Sequence, residues 1–156
     1  MANSLTEQIV NLVETKLAGI TVAGGYASTV LAANIHQPPT APQDIPAADC
    51  PAIVVRHLGN DPRWHLRGAE ELTLEVLLIC LATTPALLAA LMADVKKLVY
   101  ANPMWNNGTA NLARRTWVTG ERQHETEVSE GVVSGSVFVS IVARASRTDP
   151  TSVKAV

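Results

Sequence analysis

Residues 71–81 read ELTLEVLLICL, and the fold follows from their alternation. Successive side chains of a strand point to opposite faces, so Leu72, Leu74, Val76, Leu78 and Cys80 share one side, and Thr73, Glu75, Leu77, Ile79 and Leu81 share the other. The first half of the run has one polar side. Its later half is apolar on both, and a strand of that kind needs cover on both faces. The rest of the chain must supply that cover.

Working outward, Thr84 as N-cap and Pro85 at the first helical position open a helix directly after this strand. Leu87, Leu88, Leu91, Met92, Val95, Leu98 and Val99 give it one apolar stripe, and the pattern predicts an end near Tyr100. On this reading Asp94, Lys96 and Lys97 keep the helix's other side wet. Asn102 and Pro103 prevent continuation, and Asn106, Asn107 and Gly108 form a polar turn. Met104 and Trp105, caught between, either close over the helix end or contact a neighbouring subunit.

Upstream, residues 52–58 (AIVVRHL) read as a strand followed by the turn signal Gly59, Asn60, Asp61, Pro62. Paired with the 70–81 strand it makes a hairpin with a long tip, GNDPRWHLRG. A first helix begins at the capping box Ser4/Glu7, carries Leu5, Ile9, Leu12, Val13 and Leu17 on one stripe, and stops by Gly19. After the Gly24–Gly25 turn, residues 28–35 read as a weaker strand because of their alanines. The stretch HQPPTAPQDIPAADCP (36–51) holds Pro38, Pro39, Pro42, Pro46 and Pro51, too many for a helix or a central strand. It reads as an arm or a long surface loop. Two long strands close the domain, about 113–119 extending toward 127, and 132–145.

The expectation is thus one α+β domain over residues 1–146, with a mostly antiparallel four- to five-stranded sheet and two helices packed on one face. A flexible tail is expected over 147–156. Two helices blanket one face of such a sheet, and nothing else in the chain looks available for the second. Leu77, Ile79 and Leu81, with Phe138 and Val142 from a neighbouring strand, then form an apolar surface that a partner copy covers. A sheet rolled onto its own concave side is the competing account. If copies provide the cover, Ile79→Glu is expected to disperse the assembly and leave the subunit folded.

Chemistry is thinly marked. His36, His57, His65 and His124 fall at no metal-ligand spacing, and Cys50 and Cys80 form no CxxC, so neither a metal nor a cofactor is expected. Nucleophile elbows and phosphate-cradling loops are absent from the sequence. Glu121, Glu125, Glu127 and Glu130, with Arg122 and His124, crowd the stretch GERQHETEVSEG. A solvated hairpin is the plain meaning; repeated around a ring, the four carboxylates would form a negative channel wall along which DNA slides. A net charge of −2 and a pI near 6.1 argue against a DNA-binding module. The start MANSLTEQIV lacks a secretory pattern, and the longest apolar run, 76–82, is far short of the ~18 residues of a membrane span. A soluble protein is expected.

The capped first helix, the proline-rich excursion ending in DCPAIVV (49–55), LTLEVLLICL, the Thr84–Pro85 helix running into ADVKKLV, and the closing GSVFVSIVARA together resemble the tail terminator proteins of long-tailed bacteriophages. The likeness spans about residues 4 to 146 and rests on an order of elements with soft motifs. It implies an α+β subunit that forms a homo-oligomeric ring, expected to be a hexamer, at the head-proximal end of the virion tail. Such a ring caps the tail tube, stops its polymerisation and offers the face to which the head joins. The implied partners are other copies of the chain, the tail tube protein and a head–tail connector or neck protein, with DNA met only in passage and no membrane. No enzymatic residues are implied. The tip residues Trp64, His65 and Arg67 are the expected axial contact. A head–tail adaptor or tail tube subunit is the alternative structural role, and a small enzyme the alternative class.

Overall fold

The computed structural model describes residues 4–64, 69–124 and 126–146, with side chains left out at 61–64, 69 and 146. Helix α1 (Leu5–Leu17) starts where the sequence places it. The Ser4 hydroxyl accepts the Glu7 N–H at 3.3 Å, and the Glu7 carboxylate accepts the Ser4 N–H at 2.8 Å. Helix α2 (Pro85–Ala101) opens with the Thr84 hydroxyl accepting the Leu87 N–H at 3.2 Å. It ends with the Asn102 side-chain amide donating to the Leu98 carbonyl at 2.8 Å.

Five strands form one open sheet: β1 (Ile35–His36), β2 (Ala52–Trp64), β3 (Ala69–Ala82), β4 (Arg115–Gln123) and β5 (Val133–Ser146), in the spatial order β1-β2-β3-β5-β4. All pairings are antiparallel except β1 with β2, which is parallel. The sheet is mixed and mostly antiparallel, the architecture is α+β, and the described strands do not close into a barrel. β2 and β3 do pair as a hairpin, from Ala52 opposite Leu81 to Trp64 opposite Glu70. The strands therefore run well into the segment read as a tip, leaving only residues 65–68 outside the described ones.

Residues 28–35 are not a strand. A single 3-10 turn occupies Ala32–Asn34, and only Ile35 and His36 pair, with Ile53 and Val54. Alanine gives a strand little side chain to pack, and the local turn wins.

Both helices lie on one face. Leu5, Ile9, Val13 and Leu17 of α1 and Leu88, Leu91, Val95 and Leu98 of α2 share a buried core with Leu74, Val76, Leu78 and Cys80 of β3 and Val137, Val139 and Ile141 of β5. The close approach of α2 to β5 uses Gly135, where a Cβ would collide with the Met92 sulfur and stand 3.1 Å from the Arg122 carbonyl. Asp94 does not keep the helix wet. It is buried, and its carboxylate accepts the N–H groups of Ala27 at 3.1 Å and Ser28 at 2.8 Å, which fastens the loop after α1 to α2. The Lys97 ammonium beside it donates to the Gly25 carbonyl at 2.7 Å and lies over the Tyr26 ring.

The connector after α2 folds back on its own domain. Trp105, in the left-handed region at φ 46°, is buried, and its indole N–H donates to the Thr116 hydroxyl at 2.9 Å. Thr116 in turn donates to the Pro103 carbonyl at 3.0 Å. Trp105 is thus the lid over the helix end, while Met104 remains 46% exposed.

Candidate assembly surface

Strand register lays out the second face of the sheet as rows. Running from β2 through β3 and β5 to β4, these are Ala52–Leu81–Ser134, Val54–Ile79–Ser136–Arg122, Arg56–Leu77–Phe138–Gly120, Gly59–Glu75–Ser140–Trp117, and Asp61–Thr73–Val142–Arg115. Arg144 opposite Glu71 follows. The face is graded, apolar at one end and charged at the other.

Its apolar end is covered from within the chain, which overturns the expectation that nothing else could shield it. Two one-turn 3-10 helices in the proline-rich stretch, Pro42–Asp44 and Ala47–Asp49, lay Ile45, Ala47 and Cys50 over Ala52, Val54, Ile79 and Leu81. Val128 and Val132, from the turn between β4 and β5, complete the cluster. The Ser129 hydroxyl donates to the Ile45 carbonyl at 3.3 Å and ties the two covers together. Ile45 is 2% exposed, Ile79 8% and Leu81 0%. The physical reason is that a proline-stiffened chain forms no ladder but still delivers an aliphatic side chain at low entropic cost.

Of the five residues expected at a subunit interface, Ile79 and Leu81 are therefore already packed within one subunit, and Val142, outside this cluster at the charged end of the face, is 3% exposed. Ile79→Glu would place a carboxylate inside this cluster and is expected to destabilise the subunit itself. Leu77 and Phe138 remain half-buried and directly opposite each other, at the margin of the cover. Trp117, one row on, is 37% exposed. Nothing in the sequence singles it out, because residues 115–123 carry no marked apolar run.

β4 is the outermost strand, paired only with β5 among the described residues, so one side of it lacks a ladder partner. A register shift between Val118 and Gly120 breaks its regularity, and edge strands commonly carry such bulges.

The charged end of the face is a concavity of about 260 Å³ lined by Glu71, Arg114, Arg115, Val142 and Arg144. Arg144 stands 3.7 Å from a Glu71 carboxylate oxygen through Nε, close enough for ionic attraction and too long for a hydrogen bond. The Nε of Arg144, like that of Arg56, is buried with no hydrogen-bond partner among the described residues. The Arg115 guanidinium lies 5.2 Å from the Trp117 ring centre. Glu75, the nearby carboxylate in the next row, accepts from the Ser140 hydroxyl at 2.8 Å on each oxygen.

Glu121 is paired with Lys96 of α2 at 2.7 Å, whereas Glu127 and Glu130 sit exposed in the turn between β4 and β5. Glu125 lies outside the described residues, as do His65 and Arg67; Trp64 ends β2, and its side chain is not among those described.

Another concavity, about 240 Å³, is lined by residues 27–29, Cys50, Pro51, Ala82, Thr83 and Leu87. It holds no charged side chain. Burial, and secondarily the Asp49 carboxylate, push the Cys50 thiol up, which keeps it protonated and a weak nucleophile. No group of His, Cys, Asp and Glu able to hold a metal occurs among the described residues, and no described helix is long and apolar enough to cross a membrane. No family model matches the chain, and no curated protein matches it.

Proposed function

We propose that this chain is a structural subunit of a long-tailed bacteriophage virion, a tail terminator whose ring caps the tail tube, ends its growth and presents the surface to which the head joins. The observation that carries the reading is the asymmetry of the sheet. One face is sealed by α1 and α2, whereas the other is covered only at its apolar end, leaving Leu77, Phe138, Trp117 and the outer side of β4 for contact. The order of elements, with its capped first helix and its long closing strand, supports the same reading through the resemblance it carries.

The mechanism is geometric. Head-to-tail contacts between identical copies generate either a closed ring or an open filament, according to the rotation each contact imposes. A closed ring satisfies its own lateral contacts. With one axial face bound to the last ring of the tube, its opposite face differs from the tube's own end and admits no further tube subunit.

Light scattering on the purified chain, followed by electron microscopy, tests the proposal. A discrete closed ring is expected, near 100 kDa for six copies of the 16.6 kDa chain, unchanged in size as concentration rises. Growth into tubes would assign the chain to the tail tube instead, and a single chain at high concentration would remove the assembly reading.

A further inference from the structure

We infer that the turn between β4 and β5 of one copy, through Glu127 and Glu130, seats in the arginine concavity of a neighbouring copy. The inference rests on the ring reading above and names the contact that would build the ring. Three guanidinium groups, Arg114, Arg115 and Arg144, share the concavity with one carboxylate, Glu71. Glu75, one row on, keeps its charge but its oxygens are turned to the Ser140 hydroxyl, so within the lining itself three guanidinium groups face a single carboxylate.

The donors are held ready. The Arg144 side chain is 13% exposed and makes no Nε hydrogen bond, and its position beside Val142 weakens solvent screening. Trp117 supports the Arg115 guanidinium, and a 2.7 Å bond from the Arg114 N–H to the Val142 carbonyl fixes the backbone between them. A carboxylate entering the concavity meets planar forks suited to bidentate pairing.

Complementary charge lies at the other end of the same hairpin. Glu127 and Glu130 are exposed; Glu127 accepts only a long bond from the Gly131 N–H at 3.4 Å, and Glu130 has no polar partner among the described residues. Glu121 is committed to Lys96, and Arg122 lies on β4, opposite Ser136 and outside the turn. β4 spans nine residues, about 30 Å at ~3.3 Å per residue, between the concavity and the turn. One copy cannot bring its two ends together. Donor and acceptor at opposite ends of a rigid hairpin make a heterologous, head-to-tail contact.

Reciprocal charge reversal tests this. Glu127→Arg with Glu130→Arg gives a chain basic at both ends, and Arg114→Glu with Arg115→Glu gives one acidic at both ends. Each variant alone should remain at the single-chain mass of 16.6 kDa, and an equimolar mixture should recover the wild-type particle with copies alternating. Recovery on mixing also excludes misfolding as the cause of the loss. The contact is overturned if either double variant keeps the wild-type mass, or if mixing fails to restore it. An associating wild type with unaffected variants removes this contact alone, whereas a wild type that never associates removes the ring reading along with it.

Discussion

Deleting the Ile79 side chain beyond Cβ should cost folding stability, because Ile79 belongs to the subunit's own second core. Ile79 is 8% exposed and packs in one cluster with Ile45, itself 2% exposed. Truncating a buried isoleucine to alanine removes about 2–5 kcal/mol, the low end applying where surrounding atoms collapse into the space. The cover here is a short irregular segment that can settle inward, so Ile79→Ala is expected to lose about 2–3 kcal/mol. At ~2–4 °C per kcal/mol for a domain of this size, the melting temperature falls by about 4–12 °C. Urea titration at low protein concentration, where association adds nothing, should show a lower midpoint with an unchanged slope. Ile45→Ala should lose a similar amount, and the double variant should lose less than the two combined by ~0.5–3 kcal/mol, since either deletion already loosens the cover. A loss below ~0.5 kcal/mol at Ile79, or strict additivity, would refute the idea that these side chains seal the face from within.

Asp94→Ala leaves the N–H groups of Ala27 and Ser28 without their carboxylate, and should cost about 2–3 kcal/mol in urea titration, the range for hydrogen bonds to a charged group; an unchanged midpoint would show that the loop is held by other means. Cys80 is buried, which pushes its thiol up from 9.0 to about 12, whereas Cys50 is part-exposed. Alkylation at pH 8 followed by mass spectrometry should mark Cys50 first and Cys80 only in denaturant. The folded Cys80 thiol keeps a proton that the unfolded one releases above pH 9, so its contribution to stability is intact below pH 9 and is lost as pH rises toward 12. A urea midpoint that does not fall across that window would contradict this.

Local chemistry made much of the fold legible. The capping pairs Ser4/Glu7 and Thr84/Pro85 fix helix starts through bonds within three residues, and the two-sided greasiness of Leu77–Leu81 correctly demanded cover on both faces. What covers the second face is a tertiary matter, and proline content says only which ladders a segment cannot join. One signal was present: Ile45 is the sole large aliphatic residue between Pro38 and Pro51. Asp94 was also readable, since it stands three residues after Leu91 and four before Leu98, on the apolar stripe itself. A charged residue in that register calls for a partner, and the partners are backbone groups that no side-chain pattern advertises. The arginine concavity was not visible because Glu71, Arg115 and Arg144 meet only through strand register.

The two layers over this sheet should open on different clocks. The N–H groups of Asp44, Ile45, Asp49 and Cys50 bond to carbonyls three residues back, at 3.0–3.3 Å, and none of these bonds joins the sheet. That segment can lift away without breaking a ladder bond, while releasing Val76 or Val139 requires separating strands beneath two helices. Amide exchange with deuterium will then be fast along 42–50 and slow in the middle of β3 and β5. A strip of aliphatic surface beneath a hatch of this kind spends part of its time in water, even though a single static view shows it dry.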